Sequence, residues 1–167
     1  MRVFFNKKEI FFAKPLPLSN KTCTFVKSII SHEKEQKNAE LLHRSFYNCI
    51  WERFDYVRNK IEVKEETTFD LSMKISFTEE YPYKDFSMVF TVFTENDEPY
   101  RSKGYKFNLK DAEDHWNSEL VDGCYTFELP INKNLMITEP GIYCFQIENK
   151  MPITPLVGVK ELTLINN

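Results

Sequence analysis

The sequence TFDLSMKISF, residues 68–77, alternates strictly between polar and apolar side chains. Successive side chains of a β-strand point to opposite faces of its sheet, so one face of this segment is wholly apolar and the other wholly polar. The apolar face carries Phe69, Leu71, Met73, Ile75 and Phe77. The segment therefore predicts a strand with one face packed on a hydrophobic core and the other toward solvent.

The same kind of alternation continues along the chain after this segment. It predicts five more strands, at residues 87–94, 102–109, 123–131, 141–149 and 159–165, with a weaker candidate at residues 54–63. Short turn-forming stretches separate the strands, and no strand–helix–strand alternation is present. About seven strands joined in this way predict a mainly β fold, a single antiparallel β-sandwich resembling a jelly roll.

The N-terminal part of the chain has a different pattern. Residues 31–48, SHEKEQKNAELLHRSFYN, are rich in helix formers, begin with acidic residues, and place Leu42 and Phe46 four positions apart. We therefore predict a short helix at about residues 31–48. We divide the chain into an N-terminal extension, residues 1–45, and a β-sandwich domain, residues 46–167.

The charge and hydropathy of the chain exclude several classes of protein. Its 22 basic and 25 acidic residues are interspersed and give a net charge of -3, so no basic stripe is available for nucleic acid. No apolar run approaches the roughly 20 residues of a membrane-spanning helix, and no signal peptide is visible. The four glycines are too few and too scattered to build a phosphate-binding loop.

An acidic loop provides the best candidate for a metal site. It contains Asp111, Glu113, Asp114 and His115, and hard cations bind carboxylate oxygens gathered on one loop. The loop lacks the length, the glycine and the terminal glutamate of an EF-hand. We therefore interpret it as a solvated turn and predict no metal ion and no other cofactor.

Two of the four cysteines raise questions of chemistry. Cys124 follows His115 by nine residues, which allows the hypothesis of a cysteine hydrolase, but no catalytic motif surrounds either residue. We therefore predict no catalytic residues. Cys124 and Cys144 both lie on the polar faces of their predicted strands, and a disulfide between them requires those strands to be neighbours.

Aromatic residues concentrate in or beside the predicted loops. They are Trp51, Tyr81, Tyr83, Tyr100 and Trp116. Such rings either close the ends of a β-sandwich or, when exposed, bind a glycan or a peptide. We predict Tyr81, Tyr83 and Trp116 as surface contact residues.

Several motifs occur in a characteristic order. Trp51 and Asp55 come first, then a Phe-rich strand and the turn Tyr81-Pro82-Tyr83. The strand FSMVFTVF, the acidic loop at residues 111–116 with its tryptophan, PGIYCFQIENKM and LVGVKELTLIN complete the series. In this order the sequence from residue 47 to 166 resembles the GldH family of gliding-motility lipoproteins of Bacteroidetes, most specifically at residues 141–165.

The resemblance implies a non-enzymatic cell-envelope accessory protein of the gliding-motility and secretion machinery. Such a protein acts through contacts with other envelope proteins, at the periplasmic side of the outer membrane, and its lipid anchor is its only link to the membrane. The sequence as given shows neither signal peptide nor lipobox, which leaves a cytoplasmic location open. An alternative of a different class is a β-sandwich module that binds a glycan or a peptide on its loop aromatics.

Overall fold

The computed structural model describes residues 28–29 and 38–167, and these residues form β-strands joined by turns and loops. The strands are β1 (Ser28–Ile29), β2 (Ala39–Ser45), β3 (Ile50–Trp51), β4 (Val57–Val63), β5 (Thr67–Phe77), β6 (Asp85–Phe93), β7 (Pro99–Asn108), β8 (Leu120–Val121), β9 (Cys124–Ile137), β10 (Gly141–Asn149), β11 (Leu156–Val157) and β12 (Val159–Asn166). A single 3-10 turn, Tyr47–Cys49, separates β2 from β3. The predicted mainly β class is confirmed.

The strands form two five-stranded sheets that pack face to face. The first sheet has the order β1-β4-β10-β6-β7 and the second the order β2-β12-β5-β9-β8, while β3 and β11 form a separate two-stranded sheet. All of these pairings are antiparallel except that of β1 with β4, which is parallel. The predicted antiparallel β-sandwich is therefore confirmed.

The core lies between the two sheets and is rich in phenylalanine. Phe69 of β5 packs edge-on against Phe145 of β10 with ring centroids 5.5 Å apart, and Phe77 of β5 meets Phe86 of β6 at 5.7 Å. All five apolar residues of the segment 68–77 are buried. Burial of each large side chain contributes roughly 1.5–3 kcal/mol, which is enough to hold the strand in one register.

One predicted strand is longer in the structure than the sequence indicated. β9 was expected to end at residue 131, because the sequence INKN that follows is typical of a turn, but it continues to Ile137. Its pairing with β5 is irregular near Leu71, and β8 covers it only at Cys124 and Tyr125. From there β9 is an edge strand, where Pro130 is tolerated because an edge leaves some N–H groups unpaired.

The helix predicted at residues 31–48 is wrong for the part that the structure describes. Residues 31–37 lie outside the described residues, and Ala39–Ser45 is strand β2, which pairs with β12 so that Leu42 faces Leu164. Leu41 and Leu42 are both buried. Helix propensities differ by only a few tenths of a kcal/mol per residue, and the ladder with β12 and the buried leucines outweigh them. The division of the chain at residues 45 and 46 stays a prediction.

Antiparallel pairing collects four connections at one end of the sandwich. β4 starts beside the end of β10, β6 starts beside the end of β7, and β12 starts beside the end of β5. We call this end the loop end. Its connections are residues 46–56, 78–84, 109–123 and 150–158, whereas the shorter connections 64–66, 94–98 and 138–140 lie at the opposite end.

Candidate contact surface at the loop end

Gly158 joins three of the four connections at the loop end. Its N–H donates to the carbonyl oxygen of Cys49 at 2.8 Å, and its own carbonyl accepts the N–H of Thr78 at 2.9 Å. The φ of Gly158 is +87°, and a β-carbon there would lie 2.4 Å from the backbone nitrogen of Tyr81. Only glycine fits both the left-handed backbone and this close approach.

Trp51 anchors the connection 46–56 in the hydrophobic core. Its side chain is completely buried and stacks on Phe46 with centroids 4.7 Å apart, and its Nε1–H donates to the carbonyl oxygen of Asp55 at 2.6 Å. Arg44 donates from Nη2 to both carboxylate oxygens of Asp55, at 2.9 and 3.2 Å. These contacts fix the residues between Trp51 and Asp55 in one conformation.

Tyr81, which the sequence placed at a surface, is buried in the structure, with 1% of its area exposed. Its ring lies 4.5 Å from Phe77, and its hydroxyl donates to the carbonyl oxygen of Asp85 at 2.7 Å. Burial raises the pKa of the Tyr81 hydroxyl well above its usual range, and the nearby Asp85 and Tyr83 raise it further. Tyr81 is therefore a neutral hydrogen-bond donor within the core.

Tyr83 and Trp116 lie beside Tyr81 and are only half-buried. The ring of Tyr83 is 5.6 Å from that of Tyr81, and the ring of Trp116 is 6.3 Å from it. Trp116 also stacks on Tyr125 at 4.3 Å, and the ammonium of Lys110 lies 4.6 Å from its ring centroid. The structure brings the three predicted contact residues together, and the contact role of Tyr83 and Trp116 stays a prediction.

The acidic loop uses its first carboxylate to shape its own turn. Asp111 Oδ1 accepts the backbone N–H groups of Glu113 and His115, each at 2.9 Å, and Oδ2 lies 3.3 Å from His115 Nδ1. The backbone hydrogen bond from His115 is the largest cause that holds the pKa of the Asp111 carboxyl below its usual value. Within residues 38–167, no group of three or more His, Cys, Asp or Glu side chains could hold a metal ion.

The structure separates the residues of the cysteine hypotheses. Cys124 lies on β9 in the second sheet and Cys144 on β10 in the first, so their strands are not neighbours and the disulfide between them does not form. The thiol of Cys124 is buried, while the imidazole of His115 is exposed and contacts Asp111. No hydrogen bond joins His115 to Cys124, which a hydrolase built on these two residues would require.

The loop end carries most of the exposed large apolar side chains. Of eight such residues in the part of the chain that the structure describes, six lie there: Tyr47, Phe54, Leu120, Val121, Ile153 and Val157. A groove of about 210 Å³ opens between the connections 46–56 and 150–158, lined by residues 53–56 and 148–151 with Thr154. Sequence periodicity did not predict the exposure of these residues. Tyr47 lies in the predicted helix 31–48 and Phe54 begins the weaker strand candidate 54–63, while the other four lie between predicted strands and give no repeating signal.

A known protein family matches the sequence of this β-sandwich. A family model described as GldH lipoprotein matches residues 42–164, from β2 to β12. The chain belongs to the GldH lipoprotein family. The resemblance read from the sequence is thereby confirmed, and several GldH-like motifs lie at the loop end, including Trp51 with Asp55, the turn at Tyr81, and Gly158. A comparison with curated proteins found no match.

Among the described residues of this GldH family member, no helix is long and apolar enough to cross a membrane. The family's lipoprotein description associates the chain with the cell envelope. Its exposed apolar side chains make the loop end the candidate contact surface of this envelope-associated β-sandwich.

Proposed function

We propose that this GldH family member is a non-enzymatic accessory protein of the gliding-motility and secretion machinery and acts through contacts with other envelope proteins. The observation that carries the proposal is the family match, which spans residues 42–164 and so includes nearly the whole described sandwich. Family membership favours the gliding-motility role. The contact mode rests on the exposed apolar side chains at the loop end.

The surroundings of the described histidines argue against the cysteine-hydrolase hypothesis. His43 contacts the hydroxyl groups of Thr163 and Ser45 at 2.9 and 3.2 Å, on the outer face of the second sheet. His115 contacts the carboxylate of Asp111, which is occupied in holding its own turn. Neither imidazole is hydrogen-bonded to a cysteine, so neither forms the histidine–cysteine pair of the cysteine-hydrolase hypothesis.

The burial of the loop aromatics favours protein contacts over the glycan-binding alternative. Trp51 and Tyr81 are buried, so neither ring offers a face to a sugar. Trp116 is half-buried, with Tyr125 stacked on it and Lys110 near its ring. The exposed rings of Tyr47 and Phe54 share the loop end with exposed aliphatic side chains such as Ile153, and a mixture of this kind suits a protein partner better than a sugar.

A lipoprotein of this family is expected at the cell envelope, and we place it at the periplasmic side of the outer membrane. Cell fractionation tests this placement directly. The protein should be recovered with the outer membrane, resist protease in intact cells, and become sensitive once the outer membrane is permeabilised. Recovery in the cytosolic fraction would contradict the placement.

A gene deletion in a gliding bacterium that encodes the chain tests the role. We expect the deletion strain to lose colony spreading and the movement of single cells, and a plasmid copy of the full chain should restore both. The Cys124→Ala variant should restore them equally, because the proposal gives this thiol no chemical role. Normal gliding in the deletion strain would reject the proposed function, and a failure of the well-folded Cys124→Ala protein would reopen the enzymatic hypothesis.

A further inference from the structure

Four exposed apolar side chains lie on two connections that are hydrogen-bonded to each other. Tyr47 is 87% exposed, Phe54 70%, Ile153 61% and Val157 38%. Pairing of β3 with β11 places Val157 opposite Ile50 and thereby joins the connection 46–56 to the connection 150–158. We call Tyr47, Phe54, Ile153 and Val157 the apolar patch.

The backbone beneath the apolar patch is held by buried contacts. Trp51 and Leu156 pair across the two-stranded sheet and are both buried, and Gly158 bonds to Cys49. Met151 is also buried, and its sulfur accepts the N–H of Ser87 at 3.2 Å. An apolar surface on a fixed backbone loses little conformational entropy when it binds, which favours its use as a contact site.

The loop end that carries the apolar patch is acidic as a whole, chiefly through its connections 78–84 and 109–123. Its four connections contain nine acidic and four basic residues, and all the acidic residues except Asp55 are exposed. The acidic residues are Glu52, Asp55, Glu79, Glu80, Asp111, Glu113, Asp114, Glu119 and Asp122, and the basic residues are Arg53, Lys84, Lys110 and Lys150. The negative potential of such a surface favours a partner that carries Lys and Arg side chains.

The opposite end of the sandwich separates the effect of charge from that of apolar exposure. Its connections 64–66, 94–98 and 138–140 contain six acidic residues and one lysine. None of the eight exposed large apolar residues of the described chain lies in these three connections. The two that lie outside the loop end, Tyr100 and Met136, are on β7 and β9 near this opposite end, where the Tyr100 hydroxyl donates to the carbonyl oxygen of Met136 at 3.3 Å. Both ends are therefore acidic, and among the described residues the loop end carries the larger set of exposed apolar side chains.

We propose that the apolar patch is the docking surface for a partner protein that presents an apolar pocket bordered by Lys and Arg side chains. The inference rests on the proposed function, in which the chain acts by protein contacts. Phe54 is the anchor, because aromatic side chains inserted in pockets contribute most to interfaces. The guanidinium of Arg53 lies 5.0 Å from the Phe54 ring centroid and forms part of the polar rim.

Complementation of the deletion strain tests the patch. The double variant Phe54→Ser with Ile153→Ser removes two exposed apolar side chains, and Met136→Ser removes one that is 49% exposed on β9, away from the loop end. With equal protein levels and thermal stability, the double variant should leave spreading at the level of the deletion strain, and Met136→Ser should restore it. If the double variant restores spreading, the docking surface is rejected while the proposed function stands. If the deletion strain itself glides normally, the proposed function fails.

Photocrosslinking tests the chemistry of the partner. A benzoylphenylalanine at position 54 of the full chain should form an adduct with another envelope protein, and the same group at Glu66 should not. The double variant Glu79→Gln with Glu80→Gln should lower the yield of that adduct by roughly tenfold, because it removes two negative charges from the connection that bonds to Gly158 beside the patch. The matched variant Glu95→Gln with Glu98→Gln, at the opposite end, should leave the yield unchanged.

Four crosslinking results would overturn the inference. They are an adduct with residues 1–37 of the same chain, an adduct with a second copy of the chain, an adduct with lipid alone, and no adduct at position 54. An adduct whose yield does not respond to Glu79→Gln with Glu80→Gln would also contradict a basic partner.

Discussion

Gly158 shows how one position can require glycine for two separate reasons. Its positive φ of +87° disfavours any β-carbon, and that β-carbon would also collide with the backbone of Tyr81. Gly123 has only the first constraint, with φ +74° and open space around it, and Gly104 has neither. Alanine substitutions at these three positions therefore distinguish the free-energy cost of a left-handed backbone from the cost of steric overlap.

We expect Gly158→Ala to lower the free energy of unfolding by about 2–4 kcal/mol, because a left-handed backbone alone costs roughly 1–2 kcal/mol and the overlap adds to it. Gly123→Ala should cost about 1–2 kcal/mol, and Gly104→Ala should change stability by less than about 0.5 kcal/mol. Urea unfolding followed by tryptophan fluorescence measures all three. Equal losses for Gly158→Ala and Gly123→Ala would show that Tyr81 moves aside at no cost.

The hydroxyl of Tyr81 makes the free energy of unfolding depend on pH in the alkaline range. In the folded protein the pKa of the Tyr81 hydroxyl is raised above its ordinary value of 10.0, chiefly by burial. Below pH 10 the hydroxyl is therefore protonated in both the folded and the unfolded chain, and its contribution to stability is complete. Above pH 10 the unfolded chain loses this proton and the folded chain keeps it, so stability falls as the pH rises. Tyr81→Phe should cost about 0.5–1.5 kcal/mol near pH 7 through the lost bond to Asp85.

Urea unfolding of the wild type and of Tyr81→Phe between pH 8 and 11 measures this effect. The difference in the free energy of unfolding between the two proteins should narrow above pH 10, because the variant has no proton to lose at this position. A difference that stays constant across this range would contradict the proposed protonation of Tyr81.

Tyr81 is buried and Phe54 is exposed, and this difference shows how far the sequence predicts the burial of single loop residues. Pro82 restricts the backbone of the turn, and the turn is present, but nothing in YPY reports that the loop folds back onto Gly158, 77 positions away. Phe54 begins the weaker strand candidate at residues 54–63, yet the observed strand starts at Val57 and Phe54 is exposed. The local sequence therefore predicted the turn at Pro82, whereas the burial of a loop side chain depends on contacts between distant segments.

The conformation of strand β2 also depends on contacts between segments that are distant in sequence. Its sequence AELLHRS favours a helix locally, yet β12 provides a partner strand, and Asn59 Nδ2 donates to the carbonyl oxygen of Leu41 at 2.6 Å. The strong alternation of residues 68–77 was sufficient to predict β5, because its apolar face must be buried in any arrangement. β2 has no such alternation, so only its partners determine its conformation.

Hydrogen exchange distinguishes the strand from the predicted helix. β2 is an edge strand, so every second amide across residues 42–45 should be protected by β12, with unprotected amides between them. A helix would instead protect consecutive amides. The amides can be followed one by one by NMR in deuterated solvent, and uninterrupted protection from residue 42 to residue 45 would contradict the strand.

The sandwich as a whole was predictable in class and in most of its long strands, because most of the long strands carry their own periodicity. The order of the strands was not, since β5 lies between β12 and β9, and β10 lies between β4 and β6. These pairings join segments far apart in sequence and depend on how complete apolar faces fit together. The gathering of four connections at the loop end follows from that order and was equally invisible in the sequence.

A sandwich whose two sheets share one core should unfold as a single cooperative unit. Phe69 and Phe145 join the sheets, while Trp51 and Trp116 report on the loop end. We therefore expect the urea transition by tryptophan fluorescence to coincide with that by far-UV circular dichroism, which reports on all strands.

Phe69→Ala should lower the free energy of unfolding by about 3–5 kcal/mol and shift both transitions equally, because the cavity weakens both sheets. A fluorescence transition at lower urea than the circular dichroism transition would show that the loop end unfolds separately from the two sheets.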